Sequence, residues 1–174
     1  MKNINIAIRF FLIEIITLFF PTGKKGDKFR GKILTPLFKS CGNNLRVKKG
    51  VHFFSPQNVS IGNNVYFGNY SNIGAGELMI GNEVIIGPLT SITATNHTKI
   101  NNSYRFGPPK GKKIIIGNGT FIGANCNILA GANIGSGVLI GAGSTIFSKI
   151  KDNVSVISKQ NLIILKNGNE NKED

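Results

Sequence analysis

The chain has 174 residues, 41% of them hydrophobic, with 22 Gly, two Cys and no Trp. That is one domain's worth of chain, long enough to bury a core without disulfides or a structural metal, and its many Ile and Phe exclude a disordered polymer. Lys and Arg number 21 against 8 Asp and Glu, a net charge of +13, and residues 1–50 alone hold eleven of the cations and two of the acids.

The first element in chain order is the run Ile4 to Phe20, strongly apolar, interrupted by Arg9 and Glu14 and stopped by Pro21. It falls short of the roughly twenty residues a bilayer crossing takes. Its charge pair and its lack of a small-residue cleavage site argue against a signal peptide. The run predicts a lopsided apolar helix that needs a cover. A second stretch, Lys28 to Lys39, mixes Phe29, Ile33, Leu37 and Phe38 with Lys28, Arg30, Lys32 and Lys39, while Gly31 and Pro36 weaken it as a helix. Two covers are open for residues 1–40: an anionic membrane surface, or the protein's own core or a partner subunit. Nucleic acid is not expected, because the region has no RNP motif or helix-turn-helix pattern and its aromatics are Phe in apolar runs.

From residue 116 onward the sequence repeats every six residues. Ile116, Ile122, Ile128, Ile134, Ile140 and Ile146 fall in one register, and small or β-branched residues fill the fifth position at Thr120, Cys126, Ala132, Val138 and Ser144. An earlier block repeats the pattern at Ile61, Phe67 and Ile73 and, after one extra residue, at Ile80, Ile86 and Ile92. Each hexapeptide reads as a short strand and a corner, so three make a triangular coil whose aliphatic residues stack on those of the next coil. Corners need positive φ, where Gly and Asn cost least, and the chain carries 22 of each. Gly117/Gly119 and Gly141/Gly143 are therefore corner residues and not a dinucleotide-binding turn.

Coils are expected over 61–78, 80–97, 116–133 and 134–151, with a partial coil from about Val47 and a last strand near Val154. This makes an all-β protein, a parallel β-helix of four to five coils. Thr98 to Lys113 breaks the register and predicts a long protruding loop, and loops of this length are usually functional. The expected organisation is an N-terminal basic segment over 1–42, a β-helix domain over 43–158 and a tail over 159–174 with one apolar run, Leu162 to Leu165. Cys41 and Cys126 read as buried thiols in a reducing compartment. With only His52 and His97 and no CxxC or HExxH, no metal site is expected, and a γ-type carbonic anhydrase, whose zinc takes three histidines, is set aside.

The stretch Phe121-Ile122-Gly123-Ala124-Asn125, through Gly131-Ala132-Asn133-Ile134-Gly135 to Ile140-Gly141-Ala142-Gly143-Ser144, resembles the hexapeptide-repeat acyltransferases, and specifically their sugar O-acetyltransferase branch. Phe121 stands where that family has Trp, and Ala130 where it has Pro. The resemblance covers about 45–157. It implies a left-handed helix, a homotrimer and an acetyl-CoA donor. It also implies that His97, beside Asn96 and just before the long loop, is the general base, His52 being an ordinary early-coil residue. By the same resemblance Ala124 and Ala142 line the pantetheine path and Ser148 and Lys149 stand near the coenzyme phosphates. The family's Thr-Lys before Asp-Ile-Pro is replaced by Phe147-Ser148-Lys149-Ile150-Lys151, and its later G-x-P-A element by Ile157-Ser158-Lys159-Gln160-Asn161. An acceptor-binding Asn of some members falls at Gly68, with Asn69 adjacent. Tyr104 and Arg105, on the loop, are within the reach of either ligand.

The function expected is transfer of acetyl from acetyl-CoA to a hydroxyl of a sugar or surface-polysaccharide precursor, in the cytoplasm or on the inner face of the cell membrane. The alternatives are N-acetylation of a nucleotide-linked amino sugar and a non-catalytic β-helix scaffold. Imidazole suits the base because its unperturbed pKa, about 6.5, lets it take a hydroxyl proton near neutrality.

Overall fold

The computed structural model describes residues 21–158 together with Ile15 and Phe19. The helix expected over 4–20 and the Leu162–Leu165 run therefore lie, those two residues apart, outside the described residues. What is described is a helix, α1 (Lys24–Leu34), a short 3-10 turn (Thr35–Leu37), and then a parallel β-helix.

The β-helix has three faces. The first stacks Ser40–Cys41, Val59–Ile61, Leu78–Ile80, Ile114–Ile116, Asn133–Ile134 and Lys149–Ile150 in that spatial order. The second stacks Arg46–Val47, Tyr66–Phe67, Ile85–Ile86, Phe121–Ile122, Leu139–Ile140 and Ser155–Val156. The third stacks His52–Phe53, Asn72–Ile73, Ser91–Thr93, Asn127–Leu129 and Thr145–Ile146. Six strands on two faces and five on the third make nearly six coils, against the four to five expected. The six isoleucines from Ile116 to Ile146 all point inward and are no more than 5% exposed. Each fully buried aliphatic side chain contributes about 1.5–3 kcal/mol, and only stacking makes that burial available to so short a strand.

The extra coil lies at the front, where the register is looser. On the first face Ser40 pairs with Ser60, Ser60 with Met79, Met79 with Ile115, Ile115 with Asn133 and Asn133 with Lys149, steps of 20, 19, 36, 18 and 16 residues. The first step is long because a 3-10 turn, Pro56–Asn58, sits in its last corner. Cys41, Val47 and Phe53 are its inward residues, and no Gly follows Val47 or Phe53 to advertise the corner.

Helix α1 closes the open end of the core, so for this segment the protein's own core is one of the covers. Leu34 and Phe38 are buried, and Phe38 packs edge to face on Phe53 at 5.0 Å, which packs on Phe67 at 5.1 Å. Gly31 stands inside the helix because only a residue without Cβ fits there: a Cβ would run into the Leu45 carbonyl oxygen. Pro36 ends the helix by standing in the 3-10 turn. Asp27, fully buried, accepts a 2.6 Å bond from Arg30 and lies 3.3 Å from Lys48 and 3.7 Å from Arg46. Arg30 also donates to the Val47 carbonyl at 2.8 Å, so one ion pair joins the helix to the first coil.

Both cysteines are free thiols, but only Cys126 is buried; Cys41 is half-buried, since the chain enters the first coil there at its open edge. Burial pushes each thiol above its ordinary value, opposed for Cys41 by a hydrogen bond with Thr35 and for Cys126 by backbone hydrogen bonds at Ser144 and Gly143.

Candidate active site

Among the described residues, the 36-residue step marks the one place where the chain leaves the coil and returns. Thr95–His97 pairs antiparallel with Pro109–Gly111, joining Thr95 to Gly111, Asn96 to Lys110 and His97 to Pro109. The expected loop is thus a hairpin arm with a strand on each side, and His97 stands on its outgoing strand. Asn101 and Asn102, at φ 45° and 61°, turn the chain between Ile100 and Ser103, where two backbone hydrogen bonds of 2.8 and 3.0 Å close a tight hairpin. The arm's neck is held by Thr98 Oγ1 donating to the Pro108 carbonyl at 2.6 Å and by Gly107, buried so close to the Thr98 carbonyl that a Cβ would not fit. Replacing Gly107 with Ala should therefore loosen the arm. The expected outcome is faster amide exchange at 98–108 with the β-helix strands unchanged, read by hydrogen-exchange mass spectrometry.

His97 and Asn96 are exposed, and the His97 imidazole makes no hydrogen bond with the described residues. Tyr104 is 62% exposed; Arg105 is exposed beside it, its backbone N–H donating to Ser103 Oγ at 3.2 Å. Phe106, 78% exposed on the same arm, is an apolar side chain the sequence reading passed over because nothing in the repeat marks it.

Asn69, Ala124 and Ala142 form a second group. Each follows a strand of the second face, and backbone bonds run up this corner: Leu89 N–H to the Asn69 carbonyl, Asn125 N–H to the Pro88 carbonyl, and Gly143 N–H to the Ala124 carbonyl, each 2.9 Å. The corner is smooth. At Gly123 a Cβ would sit 2.6 Å from the Ala142 nitrogen, and the same close approach recurs between Gly87 and Ala124. Such a row of small residues, with Ala124 half-buried and Ala142 exposed, leaves a track into which a slender chain like pantetheine fits. Ser148 and Lys149 are exposed and lie after the last strand of the third face, on the edge from which the arm leaves.

The structure thus places the expected residues on two edges of the third face: Asn69, Ala124 and Ala142 before its strands, and Asn96, His97, the arm, Ser148 and Lys149 after them. One chain does not bring the two groups together. Among the described residues no three His, Cys, Asp or Glu lie close enough to hold a metal, and no helix is long and apolar enough to cross a membrane.

Two further residues mark the first edge. Tyr70 and Leu89 adopt φ of 57° and 58° and are each 60% exposed, where the equivalent corners carry Gly50, Asn125 and Gly143. A bulky side chain costs about 1–2 kcal/mol in this conformation. Comparing corners in register would have found them. Replacing Leu89 with Asn should raise stability by about 0.5–1 kcal/mol in urea unfolding, since the strain goes and little burial is lost.

Residues 113–148 match the bacterial transferase hexapeptide (six repeats) family. The chain is a hexapeptide-repeat protein. It is 31% identical over 126 residues to the galactoside O-acetyltransferase of Escherichia coli (strain K12), a match covering 72% of this chain and 62% of the relative. The chain spans about three-fifths of the length of the curated relatives it matches. Among solved structures, a maltose O-acetyltransferase from Clostridium difficile 630 superposes with a TM-score of 0.71 at 26% identity, covering 88% of this chain and 83% of that one. A galactoside acetyltransferase in complex with coenzyme A gives 0.77 at 25% identity, covering 88% and 76%.

Proposed function

We propose that this hexapeptide-repeat protein is an O-acetyltransferase that moves the acetyl group of acetyl-CoA to a hydroxyl of a sugar or surface-polysaccharide precursor, acting as a homotrimer at the cytoplasmic face of the membrane. The observation that carries the reading is the arm: the β-helix is interrupted once, and the interruption projects one of the chain's two histidines, unengaged and exposed. The resemblance to galactoside and maltose O-acetyltransferases supports the same chemistry.

In this reading His97 takes the proton of the acceptor hydroxyl as its oxygen attacks the thioester carbonyl carbon. The C–S bond then breaks, and the imidazolium returns the proton to the departing coenzyme sulfur, so acetate ester and free thiol are formed without net proton change. The corner at Ala124 and Ala142 holds the pantetheine, and Ser148 and Lys149 meet the phosphate end. Asn69, Asn96, Tyr104 and Arg105 hold the acceptor.

The division of these residues between two edges supports the trimer. Rotation about a three-fold axis sets one edge of each protomer against the other edge of the next, which completes three equivalent sites. The β-helix also presents uncovered apolar side chains on its flat faces, Ile85 at 45%, Phe121 at 43% and Leu139 at 40% exposed on the second and Met79 at 40% on the first.

The test is an assay of thiol release from acetyl-CoA with galactosides, maltose and polysaccharide fragments as acceptors, with product identified by mass spectrometry. Acceptor-dependent release with an O-acetylated product is expected; protein that binds acetyl-CoA but transfers to none of them, nor to an amino sugar, would favour a scaffold.

A further inference from the structure

The charge of the described chain is concentrated at the end that α1 closes. The buried face of α1 is Gly26, Asp27, Arg30, Gly31 and Leu34, and the single acid of the helix, Asp27, is consumed by Arg30, Lys48 and Arg46. The opposite face carries Lys24, Lys25, Lys28 and Lys32, all exposed, none within ion-pair distance of an acid among the described residues. Lys28 and Lys32, one helical turn apart, also stand over a cavity of about 310 Å³ whose other walls include Thr35, Asn43 and Asn44. The Thr35 hydroxyl donates inward to the Gly31 carbonyl and Asn44 Nδ2 gives one N–H to Asn64 Oδ1, so the donors left for a phosphate are the two ammonium groups, the Asn43 amide and the second N–H of Asn44, with no carboxylate among the walls.

We propose that the outer face of α1 docks on an anionic lipid surface and that the Lys28–Lys32 cavity receives a lipid phosphate group. Charge complementarity selects this partner, since four unpaired lysines on one helical face match a negatively charged plane. Phe19, 84% exposed, lies just ahead of the helix at the end of an apolar run whose composition suits the acyl boundary. Any cyclic trimer puts its three copies of α1 at one height along the axis, so a flat surface is able to engage all three and binding gains from their linkage. The proposal rests on the proposed function for the trimer and for the membrane location, which it deepens to a surface and a ligand. Lipid binding is measured without donor or acceptor, so its failure would remove the membrane from that reading and leave the transfer chemistry standing, while failed transfer would leave the docking face standing.

The experiment is co-sedimentation of the full chain with vesicles of phosphatidylcholine alone or mixed with phosphatidylglycerol, at low and raised salt. Three double variants with equal charge loss are compared: K28Q/K32Q at the cavity, K24Q/K25Q on the same helix but not among the cavity walls, and K110Q/K113Q off the helix, on the returning strand of the arm and just after it. All six lysines are exposed, and circular dichroism confirms folding. Binding to the mixed vesicles only, weakened by salt, is expected. K28Q/K32Q should reduce it about tenfold, K24Q/K25Q less, and K110Q/K113Q little. Equal losses from all three variants would reduce the effect to net charge and overturn the docking face; equal losses from the two α1 variants would overturn the cavity. Equal binding to phosphatidylcholine alone, binding of inorganic phosphate without vesicle binding, or lysine-dependent retention of RNA without vesicle binding would each overturn the lipid assignment.

Discussion

Replacing His97 with Ala is expected to lower kcat for acetyl transfer by about 10²–10⁴-fold, the range a positioned general base supplies. The melting temperature should not change, because the side chain is exposed and bonded to none of the described residues. Affinity for acetyl-CoA should also be nearly retained, since the replacement leaves the proposed pantetheine track at Ala124 and Ala142 and the phosphate end at Ser148 and Lys149 unchanged. The measurement is steady-state kinetics with a parallel titration of the coenzyme. Loss of turnover together with loss of donor binding would make His97 a binding residue, and a variant with most of its activity would remove it from the chemistry. His52, exposed on the third face in the first coil, is the control: its replacement should leave turnover within about twofold, as expected for a surface substitution.

The largest effect on stability is expected from Asp27→Ala. Its carboxylate is fully buried, bonded to Arg30, itself 2% exposed, with Lys48 and Arg46 close by. Removing it leaves a buried guanidinium without its counter-charge, a change that costs about 3–5 kcal/mol in comparable sites. At roughly 2–4 °C per kcal/mol for a chain of this size, the melting temperature should fall by about 6–20 °C. The loss should begin where α1 meets the first coil, so amides at Arg46 and Val47 are expected to lose exchange protection before those at Ile122 and Ile140. A fall under 1 kcal/mol would show that water reaches the site and solvates Arg30 unaided.

The later coils were legible in the sequence because their strands are only two or three residues long and each turns one aliphatic residue inward at the same place in the repeat. Burial then demands an aliphatic side chain every sixth position, and Ile116 to Ile146 meet that demand without a gap. The first coil places Cys41, Val47 and Phe53 inward, but its corner is lengthened by Pro56–Asn58 and neither Val47 nor Phe53 is followed by Gly, so the period is lost. Helix α1 was obscured by Gly31, a poor helix former whose presence is explained only by the Leu45 carbonyl pressed against it. At the site, the arm was visible as a break in period, but its strand pairing was not, because Thr95–His97 and Pro109–Gly111 have no apolar alternation to signal a hairpin. Nor does a sequence show that Ala142 and His97 stand on opposite edges of one face; that follows from winding the repeat into three dimensions.

The most direct test of the account is calorimetric titration of the full chain with acetyl-CoA, because it needs no knowledge of the acceptor. The account predicts saturable binding at one site per chain, weakened by replacing Ala142 with a bulky residue such as Phe that fills the track. A folded protein that takes up no acetyl-CoA would contradict the acetyltransferase reading and leave a β-helix whose arm and corners serve some other partner.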